Sequence, residues 1–163
     1  MAVTISAAMM AGAVAGASPA LAQIDDTAQT EAEVLVESTI SITVDADFQL
    51  TGPSGTLADT TVGFEVTNND GGFTVEVQPD APNLLPPDPV ENTDVIPFTD
   101  LEVYNLDTDT FVPLDPGNPI TIYTSTDPAP TGDPQQHDYQ IEMPFVTPDS
   151  YTGTITYTAT VTV

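Results

Sequence analysis

The alternation of apolar and polar positions is strictest in the last thirteen residues, Tyr151 to Val163, which read YTGTITYTATVTV. Every even position from Thr152 to Thr162 is threonine, while Tyr151, Ile155, Tyr157, Ala159, Val161 and Val163 share the odd phase with Gly153. Period two over this length predicts a β-strand with one buried and one wet face. At roughly 3.3 Å per residue it would reach about 43 Å if unbroken. A second long strand is predicted over VLVESTISITV, Val34 to Val44, with Val34, Val36, Ile40, Ile42 and Val44 on one face.

Between these two, shorter runs alternate in the same way. Thr61 to Thr67 sets Val62, Phe64 and Val66 on one face, and Phe73 to Val77 does so with Phe73, Val75 and Val77. The intervening Asn68-Asn69-Asp70-Gly71-Gly72 suits a tight turn, so the two runs are expected to pair as a hairpin. Gln78 to Asp100 is proline-rich. Proline has no donor for a ladder, so this stretch is expected to cross between sheets, with Leu84 and Leu85 plugging one end of the core. Leu101–Tyr104, Thr110–Pro113 and Ile120–Thr124 read as short strands, Asp127–Gln136 as an exposed loop, and His137–Phe145 as a further strand.

The resulting count is seven to nine strands at a spacing near ten residues, and no amphipathic helix of useful length competes. That predicts an all-β fold, an antiparallel Greek-key sandwich of immunoglobulin-like type, with a closed barrel as the alternative.

Residues 1 to 22 change the picture at the other end. MAVTISAAMMAGAVAGASPALA carries no charge and closes on Ala20-Leu21-Ala22, the pattern of a secretory signal h-region and cleavage site. The expected organisation is therefore a signal peptide over 1–22, a flexible acidic lead-in over 23–33 and a sandwich domain over 34–163. The expected location is secreted or at the cell surface, and the exported chain is not expected to insert into a membrane.

The chain has 25 acidic residues, no Lys, no Arg and no Cys, for a formal charge of -25. Nucleic acid and anionic membranes both require positive charge on the protein, so both are excluded as partners. Without cysteine, packing must hold an exported domain that disulfides would otherwise staple.

The candidate chemistry is thin. A single histidine and no cysteine cannot assemble the usual zinc sites. His137 is expected at the sandwich rim, and no G-x-S-x-G elbow accompanies it for a serine triad. No lysine or arginine is present to clamp phosphate or form a Schiff base, so the expectation is that the protein is not an enzyme. Calcium is the one cofactor this composition can support, because Ca2+ takes hard oxygen ligands from loops. Asn105, Asp107 and Asp109 form one candidate cluster; Asn69 and Asp70, beside Asn68, form another, and Asp45 with Asp47 a third. Ordinary turn chemistry explains the same residues. The threonine face of the last strand is read as a wet face. An ice- or mineral-matching array would need several adjacent Thr-x-Thr strands, and only Thr39 to Thr43 offers a partial second.

The phrase Val146-Thr147-Pro148-Asp149-Ser150-Tyr151-Thr152-Gly153-Thr154-Ile155-Thr156-Tyr157-Thr158-Ala159 resembles the closing strand of bacterial secreted immunoglobulin-like surface proteins, such as WxL-domain proteins and pilin-like or spore-coat-U-like subunits. Asp149 stands where glycine is usual, and the Trp-x-Leu motifs and the pilus-type cysteines are absent. The resemblance implies an exported bacterial β-sandwich. The role expected of such a domain is a structural or adhesive surface component that self-assembles by β-strand addition, with the Val34–Val44 strand or the terminal strand added to a neighbour's sheet edge, and with itself or another surface protein as partner. A monomeric binding module with acidic Ca2+ loops is the alternative.

Overall fold

The computed structural model describes residues 30–162, so the signal-peptide segment and most of the acidic lead-in lie outside the described residues. Val36 onward forms one compact unit. Of the residues before it, 30–35 are exposed and carry no regular secondary structure.

The fold is all-β and antiparallel. Ten strands run in chain order: β1 (Ile40–Val44), β2 (Leu57–Asn68), β3 (Gly72–Pro79), β4 (Asn83–Leu84), β5 (Ile96–Pro97), β6 (Leu101–Asn105), β7 (Thr110–Pro113), β8 (Ile120–Ser125), β9 (Ala129–Glu142) and β10 (Ile155–Thr162). A 3-10 turn, Phe98–Asp100, precedes β6. The first sheet has the order β1-β2-β9-β6-β7 and the second the order β10-β3-β8, with β4-β5 as a small separate pair. Val62, Phe64, Val66, Val103, Tyr139 and Ile141 of the first sheet bury against Phe73, Val75, Val77 and Ile122 of the second. Each such side chain contributes about 1.5–3 kcal/mol by leaving water.

The run expected as a hairpin is a corner between the layers instead. β2 pairs with β1 and β9, while β3 pairs with β10 and β8. Two alternating runs joined by a short loop carry the same pattern whether they lie side by side or face to face. Here both apolar faces turn inward on each other, and Asn68 closes the corner. Its buried side chain donates from Nδ2 to the Gly71 carbonyl at 3.0 Å and accepts from the Asp70 N–H at 2.9 Å. Gly71 completes the turn at φ 55, a conformation without steric cost for glycine.

Three further expectations are corrected. The Asp127–Gln136 loop belongs to β9, which pairs with β2 as far as Ala129. Pro134 is tolerated there because β6 reaches only Tyr139 to Ile141, so this half of β9 has no neighbour on its second side. The Val34–Val44 strand shortens to Ile40–Val44, because β2 ends at Asn68 opposite Ile40; before it the chain is held by Asn69, whose main-chain N–H donates to the Thr39 carbonyl at 3.3 Å, rather than by a ladder. The final strand begins at Ile155, since Thr152 bridges Leu85 instead.

Other expectations hold. Gln78–Asp100 carries the chain from the second sheet to the first, with Leu84 packed at the core margin as expected. Leu85, expected beside it as a core plug, is instead exposed, its main chain bridging Thr152. Leu101–Asn105 and Thr110–Pro113 pair with each other.

The break before β10 has a cause that can be tested. A Cβ on Gly153 would lie 2.6 Å from Phe98 Cζ and 2.9 Å from Leu84 Cδ2. Gly153→Ala should therefore cost about 1–3 kcal/mol by overpacking, read as a lower urea midpoint with an unchanged slope. An unchanged midpoint would show that Phe98 moves aside freely.

Candidate functional site: an uncharged sheet edge over a histidine–tyrosine core

β10 is paired on one side only. Its register with β3 runs from Ile155 opposite Pro79 to Thr162 opposite Gly72, and the Asp80 N–H donates to the Thr154 carbonyl at 3.0 Å. In an antiparallel pair the main-chain groups of alternate residues point to opposite sides. The even residues of β10 therefore face β3, and Ile155, Tyr157, Ala159 and Val161 aim their N–H and C=O groups off the open edge.

The side chains of those four residues point between the sheets yet are only half-buried, whereas Phe73, Val75 and Val77 on β3 are sealed. β1 lies close by as the edge of the other sheet, and its inward Ile40 and Ile42 are likewise half-buried. The two edges thus border an incompletely covered apolar seam. No charged residue occurs from Tyr151 to Val163 or from Ser38 to Val44.

The outer face of this sheet continues the same chemistry. Thr160, Thr74 and Thr124 form one cross-strand row, and Thr158, Glu76 and Thr121 the next. A register shift between Val75 and Glu76 brings Thr121 onto this face. The neighbours of the threonine strand are thus β3 and β8; the Thr39–Thr43 run lies in the other sheet.

Beneath the edge, Tyr157 reaches across the layers. Its hydroxyl lies 2.8 Å from His137 Nε2 and 2.8 Å from the Tyr139 hydroxyl. Phe48 stacks on Tyr139 at 4.7 Å, and Phe64 meets His137 edge-on at 5.7 Å. His137 is therefore not at the rim: it is 2% exposed in the middle of β9, where its phase with Tyr139 and Ile141 turns it inward. Its Nδ1 has no hydrogen-bond partner among the described residues.

Burial pulls the His137 pKa down from 6.5 to about 4. The Asp138 charge and the Tyr104 main chain oppose this, although the Tyr104 group does not reach Nδ1 with hydrogen-bond geometry. Burial likewise raises Tyr157 to about 12 and raises Tyr139 further. At neutral pH all three groups are neutral. This network holds the edge strand to the opposite sheet.

The three candidate calcium clusters lie apart: Asp45, of the Asp45/Asp47 cluster, accepts from the Gly63 N–H at 2.9 Å, and the other two sit in separate turns. Asn105 Oδ1 accepts from the Asp107 and Thr108 N–H groups at 2.9 and 3.1 Å, and its Nδ2 donates to the Thr121 carbonyl at 2.7 Å. Asp107 Oδ1 accepts from the Thr124 N–H at 3.0 Å. Asp109, at φ 55, accepts from the Tyr104 hydroxyl at 3.4 Å. Asn69 bonds Thr39 and Glu37, and the Asp70 N–H donates to Asn68. Among the described residues no three His, Cys, Asp or Glu side chains converge as a metal site.

Sequence reasoning missed the Tyr157–His137 bridge, because a phase assignment gives no partner across the layers. It also missed Asn68, which reads as a turn residue. No helix among the described residues is long and apolar enough to cross a membrane. No known protein family matches the chain, and no curated protein matches it either.

The network makes a signed prediction for acid. Because the folded pKa of about 4 lies below the ordinary 6.5, the unfolded chain binds the extra proton between those values. The neutral-histidine contribution is intact above pH 6.5 and is lost as pH falls towards 4, to about 3 kcal/mol in all. Protonating carboxylates relieves repulsion over part of the same range, so the measurement is the difference between the parent and His137→Phe. Urea melts from pH 7.5 to pH 4 should show that difference shrinking in acid; a pH-independent difference would contradict the assignment.

Proposed function

We propose that the protein is an exported structural or adhesive surface component whose copies assemble by β-strand addition, with the open edge of β10 as the acceptor. The observation that carries the proposal is that edge: eight residues long, unpaired on one side and uncharged. Soluble proteins ordinarily protect such an edge with a charge, a proline or a bulge, since it templates pairing with another chain. β10 has none of the three.

The seam adds affinity. An added strand satisfies the free main-chain groups of Ile155, Tyr157, Ala159 and Val161 and covers their half-buried side chains. The uncharged apolar stretch over residues 1–22 supports export. The immunoglobulin-like Greek-key description belongs to the same proposal, supported by the strand order and by connections that switch sheets at β2–β3, β3–β6, β7–β8, β8–β9 and β9–β10. Self is the partner with the simplest chemistry, because a copy can approach at the uncharged edge although its other surfaces repel. The binding-module alternative draws no support from the acidic turns, because among the described residues no three of their carboxylates converge on one point.

Two predictions test the proposal. Sizing with light scattering should show oligomers at physiological salt, and Thr158→Glu with Thr160→Glu should reduce them to a folded monomer. Both threonines are exposed on the outer face, but Thr158 lies opposite Glu76, so circular dichroism checks that the variant is folded; unchanged oligomers in the folded variant would refute the β10 edge. Association should also strengthen with NaCl, because carboxylates such as Asp80 and Glu76 of two copies approach within a Debye length of about 10 Å at 0.1 M. Calcium and magnesium should act alike at equal ionic strength. Association that weakens with salt would mean that opposite charges draw the partners together.

A further inference from the structure

Resting on the strand-addition reading, we propose that the strand delivered to the β10 edge is Val34–Ser38 of another copy, so that copies join head to tail. Val34 and Val36 are 84% and 75% exposed. They share the phase of Ile40 and Ile42, whose side chains do reach the core margin. The apolar face of this segment thus extends past the point where its own domain supplies a core.

Its backbone is similarly without a ladder. β2 ends at Asn68 opposite Ile40, and the Asn69 side chain takes over from it. Asn69 Oδ1 accepts from the Thr39 N–H at 2.7 Å, and Asn69 Nδ2 donates to the Glu37 carbonyl at 2.9 Å. Those two bonds guide the chain in line with β1 up to Glu37. Val34 and Val36 have no pairing strand among the described residues.

Donor and acceptor fit one another. Val34 and Val36, two residues apart, match the spacing of successive inward side chains on β10. β-branched residues suit a pleated, half-buried position. Leu35 and Glu37 fall in the opposite phase, on the outer face of the added strand. No lysine or arginine exists on any copy to draw the partners together, so apolar contact and main-chain bonds must supply the affinity. An arm at one place and an acceptor at another form a heterologous contact, which propagates into chains, whereas β10 pairing with β10 would close as a two-fold dimer.

Complementation separates these arrangements. The full chain is made with Val34→Asp plus Val36→Asp, which blocks the arm, and separately with Thr158→Glu plus Thr160→Glu, which blocks the edge. Circular dichroism first confirms that both are folded. Each alone should associate about tenfold or more weakly than the parent, since a charge brought to the interface costs more than about 1.4 kcal/mol. An equimolar mixture should give a complex of one copy of each and nothing larger, because it contains one intact arm and one intact edge per pair. If the arm-blocked chain assembles like the parent while the edge-blocked chain does not, the arm assignment falls and strand addition stands. A mixture that forms no complex overturns the assignment as well. If the edge-blocked chain assembles normally, or the parent stays monomeric, the strand-addition reading falls and this inference with it.

Discussion

With 25 carboxylates and no lysine or arginine, this chain must balance its negative charge with neutral donors. The structure shows how it does so. Asp94 takes the Thr147 N–H at 2.7 Å and the Thr147 hydroxyl at 2.6 Å; Asp115 takes the Gly117 N–H and the Asn118 amide; Asp149 takes the Asn92 amide and the Ser150 N–H. Those donors hold all three carboxyls below the usual aspartate range. Asp45 caps the Gly63 N–H at 2.9 Å where β1 leaves the sheet, and Asp133 accepts from Tyr123 at 2.8 Å. The loops are thus stitched by charge-assisted hydrogen bonds, and these bonds, each without a cation, do not neutralise the surface.

The remaining repulsion decides where another molecule can approach. Two uncharged stretches, Ile40–Val44 and Ile155–Thr162, form the neighbouring edges β1 and β10. Their inward side chains stay half-covered. The Tyr157–His137–Tyr139 bridge fastens β10 to the opposite sheet from within, so the edge is presented on a strand held from both the sheet and the core. Rigid presentation of this kind lowers the entropy that an added strand must overcome. On the proposed strand-addition reading, repulsion elsewhere and attraction at the edge would let copies join in one register.

Strand existence was legible wherever alternation was strict. β6, β7 and β8 lie where period two places them, and β10 occupies the later part of its predicted run. Pairing was not legible. Thr61–Thr67 and Phe73–Val77 carry the same pattern for a hairpin as for an interlayer corner, and Asn68 decides between them with a buried side chain. Asp127–Gln136 hides a strand because Gly132 and Pro134 dominate its composition, while its pairing with β2 is a long-range fact. The acidic turns were visible as clusters, but sequence cannot tell a carboxylate free to bind a cation from one already accepting its own loop's N–H. The uncharged edge could be read as composition, and its openness only from the sheet order.

Amide hydrogen exchange by NMR tests the central claim, that the β10 edge is the assembly surface, most directly. It would be recorded on the dilute and the concentrated protein at the same pH and salt. The account predicts that the N–H groups of Thr156, Thr158 and Thr160 are protected in both, bonded to β3. Those of Tyr157, Ala159 and Val161 should exchange fast when dilute and become protected on concentration. Odd-numbered amides already protected in the dilute protein, or still exchanging fast once the protein has assembled, would contradict it.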